Sequence, residues 1–228
     1  MIEAIWDSML NATDKTVIEK GGYGKRRGFG ARPLLLIHDL QPYFVGENIP
    51  LAQQIDRYPM GGGQKAWAVV ERILALRDAA REAGIPIFYT RTVTDQRNEL
   101  GRLIPGIEAE PRLFSSHPDA QLLPCIKPLP GELVIDKSKE STFYGTPLES
   151  YLVKLQIDTL LIAGISTSGS CRATGVDAIT RTYALAMVED CLSERVSASH
   201  KTALLDVWMK FGDVVSSAET QEYLRGLR

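Results

Sequence analysis

A three-layer α/β fold with a mostly parallel central sheet is predicted by three features of the chain. Short apolar runs rich in Leu, Ile and Val alternate with segments of helical spacing. Runs such as 34–37 and 159–163 are apolar without alternation, as strands buried on both faces are. The length of 228 residues suits one large domain with a sizeable core.

Residues 1–20 read as an amphipathic helix, with Ile2, Ile5, Trp6, Met9 and Leu10 on one side. The GGYGKRRGFGARP stretch behind it is glycine-rich and basic. It precedes a strand instead of following one, so it is an arm and not a dinucleotide loop. Residues 1–31 are thus assigned to a helix and arm, and 32–228 to the folded domain. An arm ahead of the first strand suits packing on a neighbouring subunit, and a homo-oligomer is expected.

The first core strand is read at Leu34–His38, with Asp39 at its C-terminal end. Catalytic groups of open parallel sheets gather at that edge, and turn caps also sit there. Residues 40–63 form a long loop, the kind that builds a site wall. Its GGGQK lacks the Gly-Lys-Ser/Thr ending of a phosphate loop. From Gln64 to Ala83, Ala66, Val69, Val70, Ile73, Leu76 and Ala80 keep helical spacing, and Gly84 is a stop signal. Ile85–Thr90 is the second strand, 91–130 is irregular, and Leu133–Ile135 is the third strand, with Asp136 and Lys137 at its end. Thr146-Pro147-Leu148-Glu149 has the form of a capping box opening a helix to about Leu155. Beyond the central strand Thr159–Ala163 come a small-residue corner and a helix through Cys171, Ala173, Val176, Ala178 and Ile179. Strand Ala184–Val188, helix Ser197–Phe211, strand Asp213–Val215 and a last helix from Ala218 complete the pattern.

The formal net charge of −2, with basic residues scattered apart from Lys25-Arg26-Arg27, argues against a nucleic-acid partner. No apolar run approaches the ~18–20 residues that span a bilayer, so no membrane partner is expected. The first residues lack the basic start and apolar block of a signal peptide. Cys125, Cys171 and Cys191 show no paired spacing, which fits a reducing cytoplasm.

The chemistry concentrates in DTLLIAGISTSGSCRATGVD, residues 158–177. A buried strand, a small-residue corner and a helix start aim backbone N–H groups at one point, where Ser170 sits. Asp39, Lys137 and Ser170 each follow an apolar strand, and in a parallel sheet all three strand ends share one edge. An acid and an ammonium beside a nucleophile suit amide hydrolysis. On spacing alone, two unrelated strand-end charges and a capping serine are the favoured reading.

RRGFGARPLLLIHDL, KSKESTFYGT (137–146) and GISTSGSCRAT resemble, in that order, three motifs of the cysteine hydrolase (isochorismatase-like) superfamily. The likeness is closest to its N-carbamoylsarcosine and maleamate amidohydrolase branch, whose corner reads Thr-Ser-Gly-Cys-Val-Arg-Ala-Thr. The resemblance implies an amidohydrolase acting on a small carbamoyl or primary-amide acid. It places Asp39 as proton shuttle, Lys137 as catalytic lysine and Ser170 at the nucleophile position. It further implies a cis peptide at Ile165-Ser166 that turns backbone N–H groups, with that of Ser170, into an oxyanion hole. Arg195 falls where the branch binds a substrate carboxylate, a helix-start charge in solvent being the other reading, and Thr167 is carried over as a substrate contact. A cytoplasmic homotetramer is implied, with no cofactor. No metal is expected either, since the Asp-x-His pairing of the superfamily's nicotinamidases is missing.

The departure is serine where the branch has cysteine. A thiol of pKa ~8.5 is ionised by a nearby charge pair, whereas an alcohol usually needs a histidine base. The resemblance gives His38, His117 and His200 no place in the triad. Cys171 is no substitute, because one helical step of ~100° turns it to the core. The simplest account is that the functional residue is cysteine and that Ser170 inactivates the chain. A serine enzyme, a vinyl-ether hydrolase of isochorismatase type, which needs no cysteine, and a non-catalytic binding protein of the same fold are the alternatives.

Overall fold

The computed structural model describes residues 4–94 and 110–227. Six strands, β1 (Pro33–His38), β2 (Ile87–Thr92), β3 (Leu133–Lys137), β4 (Thr159–Ile165), β5 (Ala184–Ser193) and β6 (Asp213–Val215), form one sheet. Their order is β3-β2-β1-β4-β5-β6, and every pairing is parallel. The helices are α1 (Ala12–Gly21), α2 (Pro42–Val45), α3 (Gly63–Glu82), α4 (Leu148–Lys154), α5 (Arg172–Thr180), α6 (Ser197–Asp206) and α7 (Ser217–Arg225).

Side chains of successive strand residues leave on opposite faces, and two cores result. Leu35, Ile37, Leu161, Ala163, Ala186 and Val188 pack against Val70, Ile73 and Leu76 of α3 and Leu224 of α7. Leu34, Leu36, Leu160, Ile162, Leu185 and Met187 pack against Leu148 and Leu152 of α4, Ala178 of α5 and Leu204 of α6. Burial on both faces explains why the central strands read as unbroken apolar runs. The three-layer arrangement is the one expected.

The strand order reverses between β1 and β4. From β1 the chain winds outward to β2 and β3, and from β4 it winds the other way to β5 and β6. The crevice outside the C-terminal ends of two such neighbouring strands is where open α/β sheets hold their ligands. Asp39 follows β1, Lys137 ends β3, and Ser170 lies in the turn after β4.

Several local expectations need correction. The N-terminal helix is not continuous. A short 3₁₀ turn at Asp7–Met9 stops before Asn11, which opens α1 through a capping box with Asp14 that the helical reading overran. Ile2 lies outside the described residues. Within its own chain the end of the arm is anchored by the Arg27 and Gly28 N–H groups, which donate to the Asp213 carboxylate at 2.9 and 2.7 Å, an anchorage that leaves the expected packing on a neighbouring subunit untouched. Thr146 does not make a capping box. It accepts from Leu148 N at 3.2 Å and donates to Thr142 O, so α4 starts at Leu148 behind Pro147. β2 starts at Ile87 and runs on to Thr92, and β5 continues to Ser193. The α6 helix gives way to a π turn at Val207–Phe211. Part of the irregular stretch 91–130, residues 95–109, lies outside the described residues.

Candidate active site

The sheet brings Asp39, Lys137 and Ser170 together. Lys137 is in register with Thr92 on the neighbouring strand, and its Nζ donates to Thr92 Oγ1 at 2.8 Å. The same ammonium lies 2.9 Å from Asp39 Oδ2 and 3.0 Å from Ser170 Oγ, and it donates to Lys139 O at 3.2 Å. Both side chains of the ion pair are almost fully buried, with Lys137 at 1% and Asp39 at 2% exposure. A charge pair this deep holds only if its remaining hydrogen-bonding capacity is met. Thr90 meets part of it, donating Oγ1–H to Asp39 Oδ1 at 2.6 Å while its carbonyl receives Asp39 N–H. Burial pushes the Asp39 carboxyl up, but Lys137, with further help from His38 and Thr90, holds it below its ordinary value.

The corner after β4 is built on two backbone features. Gly164 has a φ of 120° and sits in register with His38. A Cβ there would stand 2.3 Å from the His38 carbonyl oxygen, so only glycine lets β1 and β4 meet at this point. The Ile165–Ser166 peptide is cis. A π turn over Thr167–Cys171 follows, in which Cys171 N–H donates to Ser166 O at 3.2 Å. The N–H groups of residues 167–170 precede that first turn-closing bond and lie at its open end. The lysine segment is fastened to the helix behind the corner, with Ser141 Oγ donating to Asp177 Oδ2 at 2.5 Å and Thr142 N–H to Thr174 Oγ1 at 3.0 Å.

Ser170 and Asp39 open into a cavity of about 60 Å³, whose lining also includes Phe44, Met60, Ile165, Ser166, Glu194 and Arg195. Arg195 thus reaches the site, its Nη1 donating to Pro59 O at 2.7 Å. Residues 40–63 supply one wall, as read from the sequence. Thr167 is placed otherwise: it is fully buried, its Oγ1 lies 2.8 Å from His200 Nδ1, and it does not line the cavity. As the first residue of the π turn it faces α6 instead. Cys171 is buried in the core beneath the corner, and that burial pushes its thiol well up.

Sequence reading missed Thr90, Thr92 and Glu194. The two threonines stand two apart at the end of β2 and so share one face, a period that extending the strand past Thr90 would have exposed. Glu194 left only a weak signal, an acid beside Arg195. His38 is also placed here by the fold. It is fully buried, its Nδ1 is 3.4 Å from Thr90 Oγ1, and its Nε2 has no partner among the described residues.

The Isochorismatase domain family model matches residues 33–219. The maleamate amidohydrolase of Pseudomonas putida is 30% identical over 210 residues, covering 91% of this chain and 94% of that protein. The N-carbamoylsarcosine amidase of an Arthrobacter species is 30% identical over 218 residues, 93% of this chain and 78% of that protein. Among solved structures, an isochorismatase family protein from Desulfovibrio vulgaris superposes with a TM-score of 0.73 at 23% identity, over 86% of this chain and 100% of its own.

Proposed function

We propose that this chain, which belongs to the isochorismatase family, is built to hydrolyse the terminal carbamoyl or primary amide of a small carboxylic acid, releasing ammonia. The observation that carries this reading is one buried ammonium in contact with both a carboxylate and the group at position 170, at 2.9 and 3.0 Å. The two relatives of about 30% identity, a maleamate amidohydrolase and an N-carbamoylsarcosine amidase, support the reaction class.

In this mechanism the nucleophile at 170 attacks the amide carbon and its proton passes to Asp39. Lys137 keeps Asp39 ionised until then and stabilises charge building at the nucleophile. The N–H groups at the open end of the π turn that Glu194 does not take, that of Ser170 among them, receive the carbonyl oxygen as it becomes an oxyanion. Asp39 returns the proton to the departing nitrogen, the C–N bond breaks, and ammonia leaves an acyl-enzyme. Water, deprotonated by Asp39, then attacks the acyl carbon, releases the acid and restores the side chain. Arg195 is the group for the substrate carboxylate.

Serine serves this cycle poorly. Among the described residues its hydroxyl contacts an ammonium and no imidazole, and a protonated lysine stabilises an alkoxide without accepting the proton. We therefore assign cysteine as the functional residue at position 170, with serine leaving the site assembled but slow. The test is ammonia release by the chain and by Ser170→Cys over a panel of carbamoyl and primary-amide acids. Turnover by the cysteine form alone is expected. Silence from both forms, with isochorismate hydrolysed, would replace this reading with the vinyl-ether reaction. The expected assembly is a homotetramer, measurable by light scattering on a sizing column.

A further inference from the structure

Glu194 stands at the end of β5, and its carboxylate lines the catalytic cavity beside Arg195. It also lines a second cavity of about 240 Å³, with Gln64, Lys65 and Arg195, so it stands where the two spaces meet. Its Oε2 receives Ser168 Oγ–H at 2.6 Å and Ser168 N–H at 3.3 Å, and its Oε1 receives Arg195 N–H at 3.0 Å. Those bonds fasten the nucleophile turn to the segment after β5 that carries Arg195. A carboxylate offers about four lone-pair positions, and the described residues take three. One acceptor position, on Oε1, is left over, while the Arg195 guanidinium is held by Pro59 O and Met60 Sδ.

We infer that Glu194 is a specificity-determining residue that accepts a substrate N–H adjacent to the scissile carbonyl. With Arg195 on the substrate carboxylate, the two residues lining one cavity read an N–H and a carboxylate on the same small molecule. The substrate class that presents both is a ureido acid with a secondary inner nitrogen, in which a terminal carbamoyl group is joined through N–H to a short carboxylate-bearing chain. An N-alkylated carbamoyl acid lacks the N–H, and a simple amide acid carries it only on the leaving nitrogen. This inference rests on the amidohydrolase reading and narrows it.

Two ligands isolate the contact: N-carbamoylglycine and its N-methyl counterpart, N-carbamoylsarcosine, which differ by a methyl in place of that hydrogen. Their affinities are measured by calorimetry on the chain as it stands and on Glu194→Gln, with circular dichroism checking that the variant is folded. A site built around a charged acceptor rejects the ligand without the donor by roughly 10- to 100-fold. The expected result is that preference for N-carbamoylglycine in the parent chain and its collapse to within about threefold in Glu194→Gln, because the side-chain amide presents either a donor or a weaker acceptor there. Equal binding of the two ligands to the parent overturns the inference, and so does a preference that survives in Glu194→Gln. Failure of the parent to bind either ligand overturns it too. If Glu194→Gln is unfolded, the parent's ligand preference decides alone. The broader amidohydrolase reading is judged apart from this, by ammonia release from maleamate-type amides by Ser170→Cys.

Discussion

Replacing Lys137 with methionine tests the centre of the site without opening a large void, since the aliphatic stem is largely kept. The variant removes the partner 2.9 Å from Asp39 Oδ2 and deletes the donors to Thr92, Lys139 and Ser170. It leaves a carboxylate at 2% exposure with Thr90 as its remaining side-chain donor among the described residues. Breaking a buried ion pair from one side costs about 3–5 kcal/mol, against about 0–1 kcal/mol for a surface pair. For a chain of this size that corresponds to a fall in Tm of roughly 6–20 °C at neutral pH. The sign with pH follows from linkage. In the parent the folded-state pKa of Asp39 is depressed, so its stabilisation is present above the unfolded value near 3.9 and disappears as pH falls through the folded value. In Lys137→Met the carboxyl pKa is raised by burial, so the deficit against the parent shrinks as pH falls and Asp39 protonates. Urea unfolding at pH 7.5 and pH 5 gives both numbers. Adding Asp39→Asn removes the orphaned charge and is expected to recover a large part of the loss. A cost below about 1 kcal/mol at pH 7.5, or no recovery in the double variant, refutes the claim that this pair is held in a dry site.

Burial, with Lys137 adding to it, pushes the His38 imidazole down to about 3, so the folded state keeps it neutral where the unfolded chain protonates. Stability therefore falls as pH drops from about 6.5 towards 3, by about 1.4 kcal/mol per pH unit once the unfolded histidine is fully charged. His38→Leu is expected to flatten that slope between pH 6 and 4.5, and an unchanged slope in urea titrations counts against it. Gly164→Ala forces a methyl into the His38 backbone at a φ of 120° and is expected to yield little folded protein, read by soluble yield and circular dichroism. Soluble, stable material would mean that β1 and β4 part more easily than the fold implies. Native Cys171 is expected to resist iodoacetamide, while Ser170→Cys gains one fast-reacting thiol beside Lys137, as mass spectrometry of digests will show. Rapid labelling of Cys171 in the parent would put the wrong sulfur in the core.

The layers of this fold were legible because burial on both faces writes itself plainly into a strand. Leu34–Ile37 and Thr159–Ala163 have no charged position to obscure them, and the helices between them keep their spacing. The ends of elements were harder to place. The catalytic edge is polar by function, so Thr92 and Ser193 looked like loop where they are strand, and Asn11 looked like helix interior where it starts one. From strand spacing the meeting of Asp39, Lys137 and Ser170 was legible only as a shared sheet edge, and the three ordered motifs supplied their roles by resemblance. What makes it a site is the strand order, which sets β1 and β4 side by side while Lys137 reaches in from β3, beyond β2 and β1. No residue in the sequence announces that order. Thr167 shows the same limit from the other side: it belongs to the corner motif, yet the winding of the π turn aims its hydroxyl at His200 and away from the cavity. Motif spacing fixes which residues share a turn. The turn's winding decides which of them face the substrate, and here it delivers Ser170 to the ammonium and leaves Cys171 under the sheet.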